Sequence, residues 1–206
     1  DFSHYFRDNL FMQKFPLLLL ISLTSISISS CSNQSANIKS DDTAKNIAGN
    51  FEVKKVQFKN GLKLLILKDS SSPTFAYQTW FNVGSRNEVI GKTGLAHLFE
   101  HMMFKGTKNH KEGEFDSILE QAGAEGENAF TSNDHTVYIQ ELPKEHLGLI
   151  IDLESDRMVN LIVNDQSFKT EREVVQNERR FRKENSAEGT IYQAMFETAF
   201  TDRKSV

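Results

Sequence analysis

Gly94-Leu95-Ala96-His97-Leu98-Phe99-Glu100-His101-Met102-Met103-Phe104 carries the pattern H-x-x-E-H within an otherwise apolar run. The pattern predicts a helix from Gly94 to about Phe104, capped by Thr93. Successive helical residues turn by about 100°, so His101 lies about 40° round the axis from His97, and Glu100 about 60° to the other side. Two imidazoles on one face can grip one metal ion, and a carboxylate beside them can activate a water at an open coordination position. The bland alternative is a helix with two exposed or core histidines. The flanks weigh against it. Leu95, Ala96, Leu98, Phe99, Met102, Met103 and Phe104 imply a largely buried helix, and buried imidazoles and a buried carboxylate need partners.

A catalytic zinc site takes three protein ligands and keeps one position for water. Beyond His97 and His101 the third ligand has to be a carboxylate, Cys or His from elsewhere. The best source is Glu171-Arg172-Glu173-Val174-Val175-Gln176-Asn177-Glu178. On a helix Glu171 and Glu178 share a face, and Val174 and Val175 near it would press that face toward a core. One carboxylate could ligate while the other orients a ligand from behind. Against this, alternating Glu and Arg on a helix usually mark a solvated, salt-bridged surface. Spacing alone leaves the two readings of Glu178 balanced. His110, His135 and His146 stand isolated and read as surface or core residues.

Working outward, the 206 residues suffice for one domain of ordinary size with its own core. A net charge of −4 gives no reason to expect nucleic acid as a partner. Met12-Gln13-Lys14, the run Phe15-Pro16-Leu17-Leu18-Leu19-Leu20-Ile21 and the small residues up to Ser30 read as a secretory signal over residues 12–30. The run is too short and too Ser-rich to span a membrane comfortably. The single cysteine, Cys31, falls at its end. Ile28-Ser29-Ser30-Cys31 resembles the bacterial lipobox, so Cys31 is the expected lipidation site and first mature residue. Residues 1–11 precede a plausible start at Met12 and read as upstream read-through. Residues 31–50, rich in Ser, Asn, Asp and Lys without apolar period, read as a flexible tether.

The folded domain is expected over residues 51–206. Val53–Phe58 and Leu62–Leu67 read as strands about an Asn60-Gly61 turn. Thr74–Val83 is a third strand, with Phe75, Tyr77, Thr79 and Phe81 on one face. A helix over Glu114–Ala122 and strands over Glu127–Thr131 and Thr136–Leu142 follow. Pro143 opens a helix to about Asn160, with Leu147, Ile150, Ile151, Leu153, Met158 and Leu161 available for burial. Helices over Asp165–Asn185 and Glu188–Ala199 close the chain. Hairpins dominate the strand pairing, so the expected class is α+β, an antiparallel-rich mixed sheet packed by helices.

The block from Gly94 to Thr107 resembles the active-site helix of the pitrilysin/insulinase-like zinc metallopeptidases. Two further blocks agree with it. Glu127-Asn128-Ala129-Phe130-Thr131-Ser132-Asn133-Asp134-His135-Thr136-Val137-Tyr138 is similar to that family's N-A-x-T-S-x-D-x-T-x-Y strand pair, and Glu171 to Glu178 resembles its second metal helix. The likeness covers about Phe51 to Ala199. It implies the fold of the family's N-terminal domain, with His97, His101 and Glu178 as ligands to one zinc ion. Glu100 would be the general base, Glu171 an additional site glutamate that is not a ligand, and Asn128 and Ala129 the edge that holds peptide substrate as an added strand.

The resemblance also implies a clamshell of homologous halves, so the chain is expected to be incomplete at its C-terminus and to need a second half or partner subunit. The expected function is that of a zinc endopeptidase cutting peptides or small unfolded proteins. It would be lipid-anchored at Cys31 in the bacterial cell envelope and face the periplasm, with Ser32 pointing to outer-membrane sorting. The alternative is a catalytically silent subunit of a two-chain peptidase; the intact set of ligands and base favours the enzyme. A purely structural zinc site is usually closed by four protein ligands, often Cys, and no thiol remains after lipidation. Imidazole and carboxylate also accept other transition metals, so zinc is the default reading of the donor set.

Overall fold

The structure, a computed structural model, describes residues 18–22, 39–40, 45–46, 52–89 and 91–199. Their strands are β1 (Leu18–Ser22), β2 (Lys39–Ser40), β3 (Lys45–Asn46), β4 (Glu52–Gln57), β5 (Lys63–Leu67), β6 (Thr74–Phe81), β7 (Glu125–Thr131) and β8 (Thr136–Pro143). The helices are α1 (Leu95–Met102), α2 (Glu114–Gln121), α3 (Leu147–Asn160), α4 (Asp165–Arg179) and α5 (Ala187–Ala199). The strands form one eight-stranded sheet in the order β2-β4-β5-β1-β6-β8-β7, with β3 also paired to β4. β4 and β5 pair antiparallel from Val53↔Leu67 to Gln57↔Lys63 around the Asn60-Gly61 turn. Gly61 sits there at φ 93°, where a side chain would be strained. The expected α+β class holds.

Residues 18–22, read from sequence as part of a leader, lie in this sheet. The backbone of Leu18–Ile21 lies antiparallel to β6, and Leu18–Ser22 lies parallel to β5. A short continuous apolar run suits a strand flanked on both sides, and set apart as a leader it shows no such role in the sequence. Cys31 and most of the expected leader and tether lie outside the described residues.

Two compact units divide the chain. The first takes the described residues up to Asn82 with Phe115–Ala129 and Val137–Ser155. Its core joins Phe75 and Tyr77 of β6, Phe115 and Leu119 of α2, Leu142 of β8, and Ile150 and Leu153 of α3. The alternation expected in β6 is realised: Phe75, Tyr77 and Thr79 are all buried. The carboxylate of Glu154, also buried, accepts hydrogen bonds from Thr79 Oγ1 at 3.3 Å and Gln140 Nε2 at 3.1 Å. These bonds offset much of the cost of burying it. Ile151 is a correction, since it faces outward; the helix begins at Leu147 after a 3₁₀ turn over Lys144–His146, and its buried stripe runs through Ile150 and Leu153.

The second unit takes Val83–Glu114, Phe130–Thr136 and the residues from Asp156 onward. It contains α1, α4 and α5. Helix α4 is capped by Asn164, whose side chain accepts from Ser167 N at 2.9 Å. After Arg179 the backbone widens into a π-helical turn over Arg180–Glu184, so the single helix expected to Asn185 changes pitch near its end. Gly84 packs on the 131–136 turn, where Ser85 N and Arg86 N donate to Ser132 O and Asn133 O. A Cβ at Gly84 would lie 2.3 Å from Ser132 O and 2.6 Å from Asn133 C. Both neighbours are backbone and cannot rotate away. Gly84→Ala is expected to cost about 1–3 kcal/mol, read as a lower urea midpoint at unchanged slope; an unchanged midpoint would show that the turn yields freely.

Candidate metal centre

Helix α1 is short, and its start is set from outside the helix. Gly94 is the N-cap at φ 91°, a left-handed conformation that favours glycine. The carboxylate of Glu88 accepts from Gly94 N at 2.9 Å and Ala96 N at 2.8 Å. The cap is therefore Gly94 and not the expected Thr93. A carboxylate bridging two amides also complements the positive end of the helix better than a hydroxyl does. Ala96, Leu98 and Met102 are buried, as the apolar flanks require. This packing fixes the rotation of α1, so His97, Glu100 and His101 are set by the helix period.

His97 Nε2 and His101 Nε2 lie 3.3 Å apart. Glu178 Oε2, on α4, lies 3.7 Å from the first and 3.2 Å from the second. A tetrahedral zinc with ligand bonds of about 2.0–2.1 Å separates its ligand atoms by about 3.3 Å, so the three observed edges fit one ion of that size. The hydrogen-bond pattern agrees. His101 Nδ1 lies 2.9 Å from Glu171 Oε1, and a carboxylate there selects the tautomer that donates from Nδ1. The lone pair of Nε2 then faces the carboxylate of Glu178. Two acceptors in contact call for a cation between them.

Glu171 is buried and sits behind the histidine. Its Oε2 forms an ion pair with Lys105 Nζ at 2.7 Å, and the same ammonium reaches Glu112 Oε1 at 2.7 Å. Burial pushes the Glu171 carboxyl up, but Lys105 and His101 outweigh it and hold the group below the ordinary glutamate range. Burial likewise lowers Lys105, yet Glu112 and Glu171 hold it above the ordinary lysine value. His97 is pushed below the ordinary imidazole value, first by burial and then by His101, against the pull of Glu100 and Glu178. A neutral imidazole at neutral pH is the form that ligates a metal.

Glu100 is buried, and the Thr131 hydroxyl donates to its Oε2. Thr131 is positioned in turn by the 131–136 turn, which is closed by Ser132 N donating to His135 O at 2.8 Å. Arg182 Nη1 pairs with Glu178 Oε1 at 2.9 Å, which turns the other oxygen toward the histidines.

Of the residues singled out in the sequence, the second unit brings together His97, Glu100, His101, Glu171 and Glu178. Asn128, exposed, and Ala129 lie on β7, the terminal strand of the sheet, in the first unit. Val174 is exposed and does not press on a core; Val175 lines a cavity beside the ligands. Thr131, Lys105, Arg182 and Glu88 were not marked as site residues in the sequence. The Thr131–Glu100 contact spans 31 residues and Lys105–Glu171 spans 66, and a Thr or Lys gives no periodic signal of such a partner; Arg182 meets Glu178 at the helical i, i+4 spacing, and Glu88 reaches the nearby Gly94 and Ala96 amides.

Comparison with known proteins completes the picture. Residues 63–204 match the Insulinase family, peptidase family M16. The chain is 39% identical over 146 residues to "Zinc protease PqqE" of Helicobacter pylori, covering 70% of this chain and 33% of that protein. It is 30% identical to "Cytochrome b-c1 complex subunit 1, mitochondrial" of Rattus norvegicus, over 68% of this chain and 29% of that one. A solved protease structure from Helicobacter pylori superposes with a TM-score of 0.68 at 38% identity, covering 71% of this chain and 35% of the other. The chain thus spans about a third of the length of these relatives. With two thirds of its residues inside the family match and two imidazoles and a carboxylate converging where one ion fits, the chain belongs to the insulinase family of zinc peptidases, M16.

Proposed function

We propose that this chain is the metal-bearing domain of a zinc endopeptidase that hydrolyses peptides or small unfolded proteins. His97 Nε2, His101 Nε2 and Glu178 Oε2 would hold the ion, and their near-equilateral spacing is the observation that carries the reading. Bound there, zinc supplies Lewis acidity toward the scissile carbonyl and lowers the pKa of a coordinated water. Glu100, steadied by Thr131, is placed to accept the proton of a water whose oxygen would bond to the scissile carbonyl carbon, and to pass that proton to the amine nitrogen as the C–N bond breaks. Glu171 and Lys105 hold the His101 ring so that Nε2 keeps its lone pair for the ion. Asn128 and Ala129, on the terminal strand, offer an edge to an extended peptide.

A second homologous half, in the same polypeptide or a partner subunit, completes this enzyme. The support is the length of the relatives, about three times the matched span, and names among them such as "Mitochondrial-processing peptidase subunit beta". A silent subunit is the competing reading, favoured by the likeness to a cytochrome b-c1 subunit. The presence of ligands, base and supporting glutamate together favours the enzyme.

We place the protein in a bacterial envelope facing the periplasm, anchored by lipid at Cys31, on the strength of the signal-like run and the Ile28-Ser29-Ser30-Cys31 motif. That reading and the sheet compete for residues 18–22: cleavage before Cys31 removes β1 from between β5 and β6. Intact-mass and N-terminal analysis of membrane-extracted protein should find a diacylated Cys31 as first residue. Recovery of residues 18–22 in the mature protein would remove the anchor and retain the strand.

In an assembly that turns peptides over, Glu100→Gln should lower kcat about 10²–10⁴-fold with zinc content unchanged. Loss of zinc, or unchanged turnover, would take the base role from Glu100. The purified chain by itself is expected to show little turnover of unfolded peptides with added zinc; robust hydrolysis would dispense with the second half.

Glu171→Gln, and separately Lys105→Met, should weaken zinc binding about 10–100-fold, measured by competition with a chromogenic chelator. The pH dependence has a definite sign. His97, with its depressed value, stays neutral to lower pH than an ordinary imidazole, so zinc is retained into mildly acidic solution and shed as pH falls further. Glu171, held low, supports the site above the ordinary glutamate range, and that support is lost as pH falls through its depressed value. Lys105, held high, adds support that is lost only as pH rises through its raised value. Identical zinc-release curves for the parent and Glu171→Gln chains would show that Glu171 does not steady the ligand.

A further inference from the structure

Beside the three ligand atoms lies a cavity of about 450 Å³, bounded by the start of α1, the 131–133 turn and one face of α4 with its π-helical extension. Four cations line it: Arg172, Arg179, Arg182 and Lys183. Two carboxylates also line it, and both are engaged. Glu88 accepts from the α1 amides, and Glu178 faces the histidines on one side and Arg182 on the other. Arg179 Nε reaches Glu184 at 3.5 Å, an exposed pair of little worth. Lys183 Nζ lies 4.7 Å over the Tyr192 ring. Arg172 makes no ion pair among the described residues.

We infer that this cavity is a substrate subsite that selects a peptide carboxylate next to the scissile bond, with Arg172 and Arg179 as its determinants. The inference rests on the peptidase reading of the metal centre and names the substrate class that the reading leaves open. The wall chemistry suits the guest. Phe168 and Val175, on the same face of α4, pack against a methylene stem, while guanidinium forks offer paired donors to a carboxylate. The reach also suits it. A cavity of this volume is roughly 10 Å across, about three residues of extended chain. A carboxylate held there belongs to a residue within about two positions of the bond at the ligand cluster. An acidic side chain and the C-terminal carboxylate of a short peptide share this chemistry. A basic side chain in the same place would meet Arg172, Arg179 and Lys183 as like charges, with Glu88 and Glu178 already engaged.

The test is binding by titration calorimetry to the zinc-loaded Glu100→Gln chain, which holds substrate without cutting it. Four acetylated ten-residue unstructured peptides differ in one feature each: central Glu, central Gln or central Lys with an amidated end, and central Gln with a free C-terminus. The Glu peptide should bind about five- to tenfold more tightly than the Gln amide, with the Lys peptide weakest. The gap should shrink with added salt. It should close to about twofold in an Arg172→Gln, Arg179→Gln chain whose zinc content and circular dichroism are unchanged. A gain confined to the free-acid peptide supports the subsite and assigns its guest to chain termini. Equal affinity of all four peptides for the zinc-loaded chain, or a gap that salt leaves untouched, overturns the inference. A chain that prefers the Glu peptide yet binds no zinc keeps the subsite and removes the peptidase reading.

Discussion

Glu171 is a buried carboxylate held between an imidazole and an ammonium, and the candidate metal centre depends on that contact. Its two oxygens face His101 Nδ1 at 2.9 Å and Lys105 Nζ at 2.7 Å. Each of these groups would be costly to bury alone; the ion pair and the His101 contact offset part of that cost. The contact joins α1 to α4, selects the His101 tautomer and so turns one lone pair toward Glu178. Lys105 lies one turn beyond His101, just past the end of α1, and Glu112 anchors it from the opposite side. Buried Ala96, Leu98 and Met102 fix the rotation of α1, and this contact adds the orientation of the His101 ring that turns Nε2 toward His97 and Glu178.

Helix α4 serves two purposes with adjacent faces. One presents Glu171 and Glu178 to α1; the next presents Phe168, Arg172, Val175 and Arg179 to the cavity. Arg182 belongs to both, since it pairs with Glu178 while lining the cavity. It sits in the π-helical turn, whose wider pitch breaks the regular spacing of the preceding helix; such bulges occur often at functional sites. Gly189 at the start of α5 permits the close approach of this turn, because a Cβ there would lie 2.3 Å from Arg182 O.

The first unit contributes in a different way. Its apolar core ties β6 and β8 to α2 and α3, and its sheet ends at β7, where Asn128 is exposed. A terminal strand with unpaired backbone groups can accept another extended chain. The entry of Leu18–Ser22 between β5 and β6 shows how readily an apolar pentamer satisfies two strands at once. The same composition that marks a secretory leader also makes a good central strand, so composition alone does not separate the two roles.

Local periodicity was enough to determine most of the elements between Glu52 and Ala199 and one half of the candidate site. The alternation in β6, the Asn60-Gly61 turn and the i, i+3, i+4 spacing of His97, Glu100 and His101 are properties of neighbouring residues, fixed by strand and helix geometry. Glu178 was ambiguous, because a Glu/Arg-rich helix looks the same whether its acidic face meets solvent or a metal; only its packing against α1 separates the two. The Thr131 bond to Glu100, the Lys105 bridge and the outward turn of Val174 and Ile151 were decided by tertiary structure. Each depends on which distant surface a side chain meets, and the sequence spacing of residues brought together by folding carries no period from which that surface could be read.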